Sequence, residues 1–325
     1  MNKERLVYFN GKFIPESEAK VSIYDSALMF GDMVFEMTRS FNKKQFKLRE
    51  HIKRLFIGIK ILKIPINLSE KDLEKACYQT IEVNKENFEK DDEHRLMIDI
   101  SRGLLGIYKN IKKIHNGPNV IIADFPLKWT VVGMGKLFNE GINAVITSQR
   151  VIPSQYMDPK IKNRSRLYYL MANIEVSRIK GENNWALMLD ENGFIAEGSG
   201  DNFFIIKDNA VISPKGKNIL RGISRDYLMQ TICKQLKINV IEKDIEPYDV
   251  YSADEAFMTG TPFCMLPVTS LNGIKIGDGK VGKIYDRLLK KWSSNTGVNI
   301  KQQIIDWNKK DKNKNINSPT PHQFK

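Results

Sequence analysis

Two short segments constrain this chain more than any other part of it. The first is Asp158-Pro159-Lys160-Ile161-Lys162-Asn163-Arg164-Ser165-Arg166, which runs into an apolar stretch from Leu167 to Ile179. That stretch reads as a long core helix, so Lys162 is expected at the mouth of a buried helix. The second is Ala196-Glu197-Gly198-Ser199-Gly200-Asp201-Asn202-Phe203-Phe204, an acidic residue in a Gly/Ser turn followed by a strand. Taken singly, a lysine before a helix is ordinarily a solvated surface residue, and a turn glutamate ordinarily sits in water. Their order and company make them informative.

The 325 residues allow two domains and a core of ordinary size. An apolar content of 42% with 27% charged residues is that of a globular protein. No run of 18 apolar residues occurs, and Met1-Asn2-Lys3-Glu4-Arg5 lacks the apolar centre of a signal peptide, so a cytoplasmic protein without a membrane span is expected. Cys77, Cys233 and Cys264 fit neither a metal spacing nor a disulfide framework and read as small apolar residues. His51, His94, His115 and His322 form no cluster in sequence, so no metal is expected. The formal charge of +13 raises a nucleic-acid or polyanion-binding alternative. The lysines are dispersed among Asn and Ile, without a basic motif interleaved with aromatics, which favours no nucleic-acid partner.

Hairpins are expected at Leu6–Ile14 around Asn10-Gly11, and at Phe35–Phe41 with Gln45–Lys47. Helices follow over His51–Leu62 and Glu70–Lys85, then strands at Arg95–Ser101 and Asn119–Phe125. The pattern lapses between Pro126 and Glu140. The expected organisation is therefore a small α/β domain over residues 1–127, a linker over 128–140 and a larger domain over 141–307. The larger domain holds strand Ala144–Ser148, the Lys162 helix, a meander from Trp185 to Ile206, a helix after Gly222, strands at Asn239–Glu242 and Glu255–Met258, and a helix from Gly282 to Trp292. Residues 308–325, rich in Lys, Asn and Pro, are expected to be a disordered tail.

Pyridoxal 5'-phosphate needs a lysine to bind its aldehyde covalently, an acid to keep its pyridine nitrogen protonated, and a cradle for its phosphate. Lys162 is the candidate for the first role, and to serve it must be deprotonated part of the time. Glu197 is the candidate acid. Arg221-Gly222-Ile223-Ser224-Arg225 opens a helix directly after a glycine, where N–H groups and the positive helix end gather anions. Met258-Thr259-Gly260-Thr261 is a second small-residue turn with donors to offer, and Arg54 is a matching cation. Tyr24 to Arg39 alternates aromatic and basic residues, as a hairpin wall over a planar group would.

Together these residues resemble the class IV pyridoxal-phosphate aminotransferases, over roughly residues 6 to 295. The landmarks are Phe-Gly-Asp-x-Val-Phe-Glu (30–36), His-x-x-Arg-Leu (51–55), Asp-Pro-x-Ile-Lys (158–162), Glu-Gly-x-Gly-x-Asn-x-Phe (197–204), Gly-Ile-Ser-Arg (222–225), and Thr-Gly-Thr with Pro-Val (259–261, 267–268). The resemblance implies an α/β fold with a smaller α/β domain and a larger pseudo-barrel domain, the cofactor in their cleft, and a homodimer. It also implies that Lys162 carries the cofactor and shuttles a proton, that Glu197 pairs with the pyridine nitrogen, and that Arg54, Ile223, Ser224 and Thr261 hold the phosphate.

The chain departs from the branched-chain members at three places. Met37 stands where Phe-Glu-Gly-x-Arg has its glycine, beside the retained Phe35, Glu36 and Arg39. Pro262, which has no N–H, follows Thr261 where those enzymes offer a donor to the substrate carboxylate. Arg166 lies four residues past Lys162, where a tyrosine is frequent. Arg39 and Arg95 are the candidates to replace the missing donor, because guanidinium groups clamp carboxylates. The loop after Arg102-Gly103 has no Arg-x-His of the kind that D-amino acid enzymes use. The function implied is transfer of an amino group between a branched-chain-like amino acid and a 2-oxo acid such as 2-oxoglutarate, with Phe35, Arg39, Arg95 and Pro262 lining the substrate. The alternatives are a D-amino acid or R-selective amine transaminase and an aminodeoxychorismate lyase-like enzyme.

Overall fold

The structure, a computed structural model, describes residues 4–181 and 183–310. It divides into two compact units: residues 4–127 with Ile161–Arg166, and Lys128–Lys160 with residues 167–310.

The strands of the first unit are β1 (Leu6–Phe9), β2 (Lys12–Pro15), β3 (Met33–Met37), β4 (Ser40–Phe41), β5 (Lys44–Gln45), β6 (His94–Ser101) and β7 (Asn119–Pro126). Five of them form an antiparallel sheet in the order β2-β1-β7-β6-β3. Side chains alternate across such a sheet. Val34, Leu96, Ile98 and Ile100 face one way, into a core shared with Ile52, Leu55 and Ile59 of helix Leu48–Leu62 and Leu73 and Cys77 of helix Glu70–Asn84. Phe35 pairs with Asp99 and Met37 with Met97 on the other face. A Cβ on Gly58 would lie 2.9 Å from Val34 Cγ1, so glycine is what lets the first of these helices come this close to β3.

Two expectations fail here for local reasons. Tyr24 to Arg39 is not one hairpin. Ser26–Phe30 is a helix (α1), because Asp25 accepts from the Ala27 N–H at its start and Gly31, at φ 67°, closes it in the left-handed conformation. The strand expected over Phe35–Phe41 is interrupted after Met37, where pairing with β6 ends. Ser40–Phe41 then makes its own hairpin with Lys44–Gln45 through Asn42 and Lys43, both at positive φ, a geometry suited to the twist of a tight two-residue turn. The two larger helices of this unit are α2 (Leu48–Leu62) and α3 (Glu70–Asn84), the latter opened by a Ser69–Asp72 capping box.

Beyond the first unit, helices α4 (Lys128–Val131) and α5 (Leu137–Glu140) occupy the segment expected to be a linker. Leu137 and Phe138 there are fully buried, so this stretch is packed structure belonging to the second unit. The strands that follow are β8 (Ile142–Arg150), β9 (Asn184–Leu189), β10 (Ile195–Gly198), β11 (Asn202–Lys207), β12 (Ala210–Pro214), β13 (Val240–Lys243), β14 (Glu255–Gly260), β15 (Cys264–Leu271) and β16 (Ile274–Lys275). They make a nine-stranded sheet that closes on itself, because β10 pairs with both β9 and β11. The ring runs β10-β9-β8-β15-β14-β11 and back to β10, which leaves those strands no open edge. β8 and β9 are parallel and joined through α6 (Leu167–Ser177), whose Tyr169, Ala172 and Val176 pack on Val145, Ala186 and Met188.

The helix after Gly222 begins at Ile223 as α7 (Ile223–Tyr227), continues through a π turn at Leu228–Cys233, and ends as α8 (Lys234–Leu236). Two more helices, α9 (Pro247–Tyr251) and α10 (Lys283–Thr296), precede α11 (Ile300–Lys310), which buries Ile300, Ile304 and Trp307. Residues 308–310, expected as tail, are therefore the last turn of α11, and the rest of that expected tail lies outside the described residues. No helix among the described residues is long and apolar enough to cross a membrane.

Ring closure and the α7 turn share one fixture. Glu197 of β10 faces Asn202 of β11, and the Asn202 amide donates to Glu197 Oε2 (3.0 Å) and to the Leu220 carbonyl (2.9 Å). A Cβ on Gly222 would lie 2.2 Å from Asn202 Oδ1. Gly222→Ala must displace this amide from both partners, and is expected to cost about 1–3 kcal/mol, read as a lower Tm in thermal unfolding.

Candidate active site

Lys162 lies in an extended segment, not on the helix itself. The Phe35 N–H donates to its carbonyl at 3.0 Å, the Arg164 N–H donates to the Met33 carbonyl at 3.0 Å, and Asn163 bridges to Val34. The segment thus continues the first unit's sheet beyond β3. Lys162 Nζ stands 4.7 Å from the centre of the Phe35 ring, with the guanidinium carbons of Arg164 at 3.8 Å and Arg166 at 5.4 Å. Arg164 is held in place by Asp99 Oδ1, at 2.9 Å from Nε and 2.7 Å from Nη2. Burial holds the Asp99 carboxyl above its ordinary range, and the Arg164 charge opposes this. Phe35, expected to line the substrate, is a buried platform for cations.

On the same sheet, Arg95 is 7% exposed, and its Nε and Nη1 have no hydrogen-bond partner. Its Nη2 reaches only the soft sulfur of Met37, at 3.5 Å. Burial and the nearby Arg39 charge push Arg95 down to about 9, so it remains a cation at neutral pH. A buried cation without an anion is expensive, and these two nitrogens are left without an acceptor. Arg39 is 1% exposed, donates from Nε to the Ser40 carbonyl, and lies 3.8 Å over the Phe41 ring.

Arg54 projects from α2 to Glu36 of β3, with Nε 2.6 Å from Oε1 and Nη2 2.8 Å from Oε2. His51, one turn earlier, places Nδ1 2.7 Å from the same Oε2. The two opposing partners hold the fully buried Glu36 carboxyl far below its usual range despite burial. An ionised carboxylate only accepts, so His51 Nδ1 carries the proton. Burial, with smaller contributions from the Arg54 and Lys162 charges, holds His51 below its ordinary value, so the ring is neutral at pH 7.

In the second unit Glu197 is 3% exposed and surrounded by donors. The Tyr169 hydroxyl reaches Oε1 at 2.7 Å, while the Asn202 amide and the Leu220 N–H both reach Oε2 at 3.0 Å. Leu220 leads directly into Gly222, which caps α7 without a side chain, so the first-turn N–H groups of Ile223 and Ser224 have no side-chain cap. Asn202 also stands opposite Thr259 in the β11–β14 register, and the buried Thr259 Oγ1 has no partner. The acid, the Ile223–Ser224 turn and the Thr259–Thr261 turn are thereby assembled around one asparagine.

Thr261, Pro262 and Phe263 form the three-residue loop between β14 and β15, and Cys264 follows at φ 64°. This is the pattern of a turn completed by a left-handed residue, and proline suits such a corner because its φ is fixed. Arg225 is bonded to Ser213 Oγ (3.0 Å), to the Pro214 carbonyl (3.1 Å) and to Glu242 Oε1 (2.5 Å). Cys77, Cys233 and Cys264 are buried, with burial pushing the Cys233 thiol up to about 12.

Sequence reasoning missed Tyr169, Asn202 and Glu36 as supporting groups. Asn202 and Glu36 were inside the landmark motifs, but only their contacts reveal what they support. Tyr169 is two positions into α6, and nothing in its spacing from Glu197 announces the bond.

A family profile for amino-transferase class IV matches residues 33–271. A Methanocaldococcus jannaschii protein is 33% identical over 287 residues, covering 88% of this chain and 94% of its own. The branched-chain-amino-acid aminotransferase of Escherichia coli K12 is 31% identical over 297 residues, covering 88% and 91%. Among solved structures, the Escherichia coli branched-chain amino acid aminotransferase superimposes with a TM-score of 0.80 at 30% identity, covering 91% of this chain and 94% of its own. The T.th. branched-chain amino acid aminotransferase complexed with N-(5'-phosphopyridoxyl)-L-glutamate gives 0.78 at 28%, covering 91% and 96%. With the closed second-unit sheet, these likenesses make the chain a member of the class IV aminotransferase family, and its activity that of a transaminase.

Proposed function

We propose that this transaminase uses pyridoxal 5'-phosphate to move an amino group between a branched-chain-like amino acid and a 2-oxo acid such as 2-oxoglutarate. The residues present fit the cofactor. Glu197 offers a buried carboxylate, Thr259 Oγ1 is a buried hydroxyl without a partner, and the Ile223–Ser224 turn lacks a side-chain cap. In this reading Glu197 faces the pyridine nitrogen, and Arg54, Ile223, Ser224 and Thr261 hold the phosphate. When bound, the cofactor supplies an electron sink for the carbanion formed at the substrate Cα. Lys162 binds the cofactor and moves the Cα proton. Tyr169 and Asn202 keep the Glu197 carboxylate in one orientation.

The observation that carries the substrate reading is Arg95, a buried cation with two nitrogens unpartnered. Amino acids and 2-oxo acids both bring the carboxylate it lacks, while an amine donor without a carboxylate does not. Arg39 adds positive charge beside it, in keeping with the lowered Arg95 value. Met37 takes up room at the Arg95 guanidinium and narrows what side chain fits there. Phe35 and Pro262 shape the same substrate region, Phe35 through the cations stacked on it and Pro262 by withholding an N–H.

The reading includes a cytoplasmic homodimer. Ile23, Leu28, Phe30 and Ile107 are 65–79% exposed, and the Tyr24–Tyr108 ring contact sets the two segments carrying them side by side. Such an apolar patch on a soluble protein marks a contact surface.

Three outcomes test these assignments. The purified protein should show a visible absorbance of bound cofactor that borohydride abolishes, and Lys162→Ala should lack it; an unchanged spectrum in that variant sinks the covalent role. Arg95→Leu should lower kcat/KM for leucine with 2-oxoglutarate by about 30-fold or more in steady-state assays. Met37→Gly should raise kcat/KM for leucine about 10-fold, the scale for a few methylenes of pocket space. Pyruvate released without any 2-oxo acid acceptor would instead identify lyase chemistry.

A further inference from the structure

The ion cluster on the inner face of β3 is more elaborate than holding a helix requires. Glu36 is 0% exposed, and three donor groups from α2 converge on its two oxygens. A buried ion pair contributes little net stability compared with an apolar replacement of the same size. Gly58 already brings α2 tightly against Val34, and Leu55 and Ile59 fill the core beside it. Adhesion between α2 and β3 therefore does not need a carboxylate. Orientation does: an arginine on a helix surface samples many rotamers, and the two-point fork from Nε and Nη2 fixes the plane of the guanidinium.

We propose that Glu36 is a positioning residue for the cofactor phosphate: it locks the Arg54 guanidinium in one plane, with His51 as its second fixing point. The inference rests on Arg54 being a phosphate anchor, as argued above. Oε1 takes Arg54 Nε and Oε2 takes Nη2, so the remaining N–H groups of Arg54 have a single direction. The proton on His51 Nδ1 points at Oε2 and stops the carboxylate from rotating. Because His51 stays neutral, the Glu36 charge is directed to Arg54 and not divided with an imidazolium. The phosphate then meets a cation that is already ordered, and the entropy of fixing a long side chain is not lost again on binding.

Comparing the phosphorylated cofactor with pyridoxal, which lacks the phosphate, isolates this role. Apoprotein of the full chain is titrated with each by absorbance, for wild type, Glu36→Gln, Glu36→Asp, Arg54→Gln and the Glu36→Gln/Arg54→Gln double variant. Glu36→Gln should weaken pyridoxal phosphate binding about 10- to 100-fold, the scale of one lost charged hydrogen bond, and change pyridoxal binding less than about 3-fold. Competition by inorganic phosphate should weaken in parallel, and the double variant should bind no worse than Arg54→Gln. Glu36→Asp, which keeps the charge but withdraws it by one methylene, should fall between, and serves if Glu36→Gln does not fold. Equal losses for both ligands would reduce Glu36 to a structural residue, and no loss for either would also overturn the proposal. If Arg54→Gln leaves the preference for the phosphorylated ligand intact, the anchor reading of Arg54 fails; if Arg54→Gln abolishes it and neither Glu36 variant touches it, only the positioning role fails.

Discussion

The second unit depends on the pairing of Glu197 with Asn202. Six strands become a ring only because β10 bonds to β9 on one side and β11 on the other, and this pair is where the last seam closes. The Asn202 amide then reaches past the seam to the Leu220 carbonyl, so the turn into α7 is tied to the same point. A closed sheet cannot slide its strands without breaking several ladders at once. Glu197 is therefore held to the precision of the barrel and not of a loop. Its donors, the Tyr169 hydroxyl, the Asn202 amide and the Leu220 N–H, come from a helix, a strand and a turn. The cofactor role proposed for Glu197 needs that fixed orientation.

The first unit solves a different problem, the placement of many cations. Arg39, Arg54, Arg95, Lys162, Arg164 and Arg166 are brought to one small sheet, and the two faces treat them differently. On the inner face Glu36 answers Arg54. On the outer face Asp99 answers Arg164, the Phe35 ring lies under Lys162, Arg164 and Arg166, and Arg95 keeps two nitrogens without partners. A buried guanidinium with two unpartnered nitrogens, as at Arg95, is costly by itself.

The strands and helices with strong periodicity, such as α2, α3, β6 and β7, were legible because their apolar positions repeat at 3.6 or 2 residues. The family was legible because the Lys162 and Glu197 motifs stand in order among the other landmarks. The failures have local causes. Tyr24 to Arg39 alternates like a strand, yet the Asp25 and Gly31 caps make its middle a helix. The segment after Pro126 looks irregular in sequence, yet Leu137 and Phe138 are core residues. That Arg164, steered by Asp99, lies over the Phe35 ring is likewise invisible in the sequence, because it depends on a contact between distant segments.

By itself the sequence determined which groups were available: the lysine, the acid, the small-residue turns, and a methionine and a proline at unusual places. Composition, periodicity and motif order are local properties, and they are written along the chain. Only the tertiary structure decided what each group faces. It turned Arg54 onto Glu36, Asn202 onto both Glu197 and Leu220, and Met37 onto Arg95, and it bonded the segment holding Lys162 to β3. These partners lie far apart in sequence or on different elements, so no local pattern encodes them. They are set by strand register and by the demand that every buried charge or amide find what partner it can.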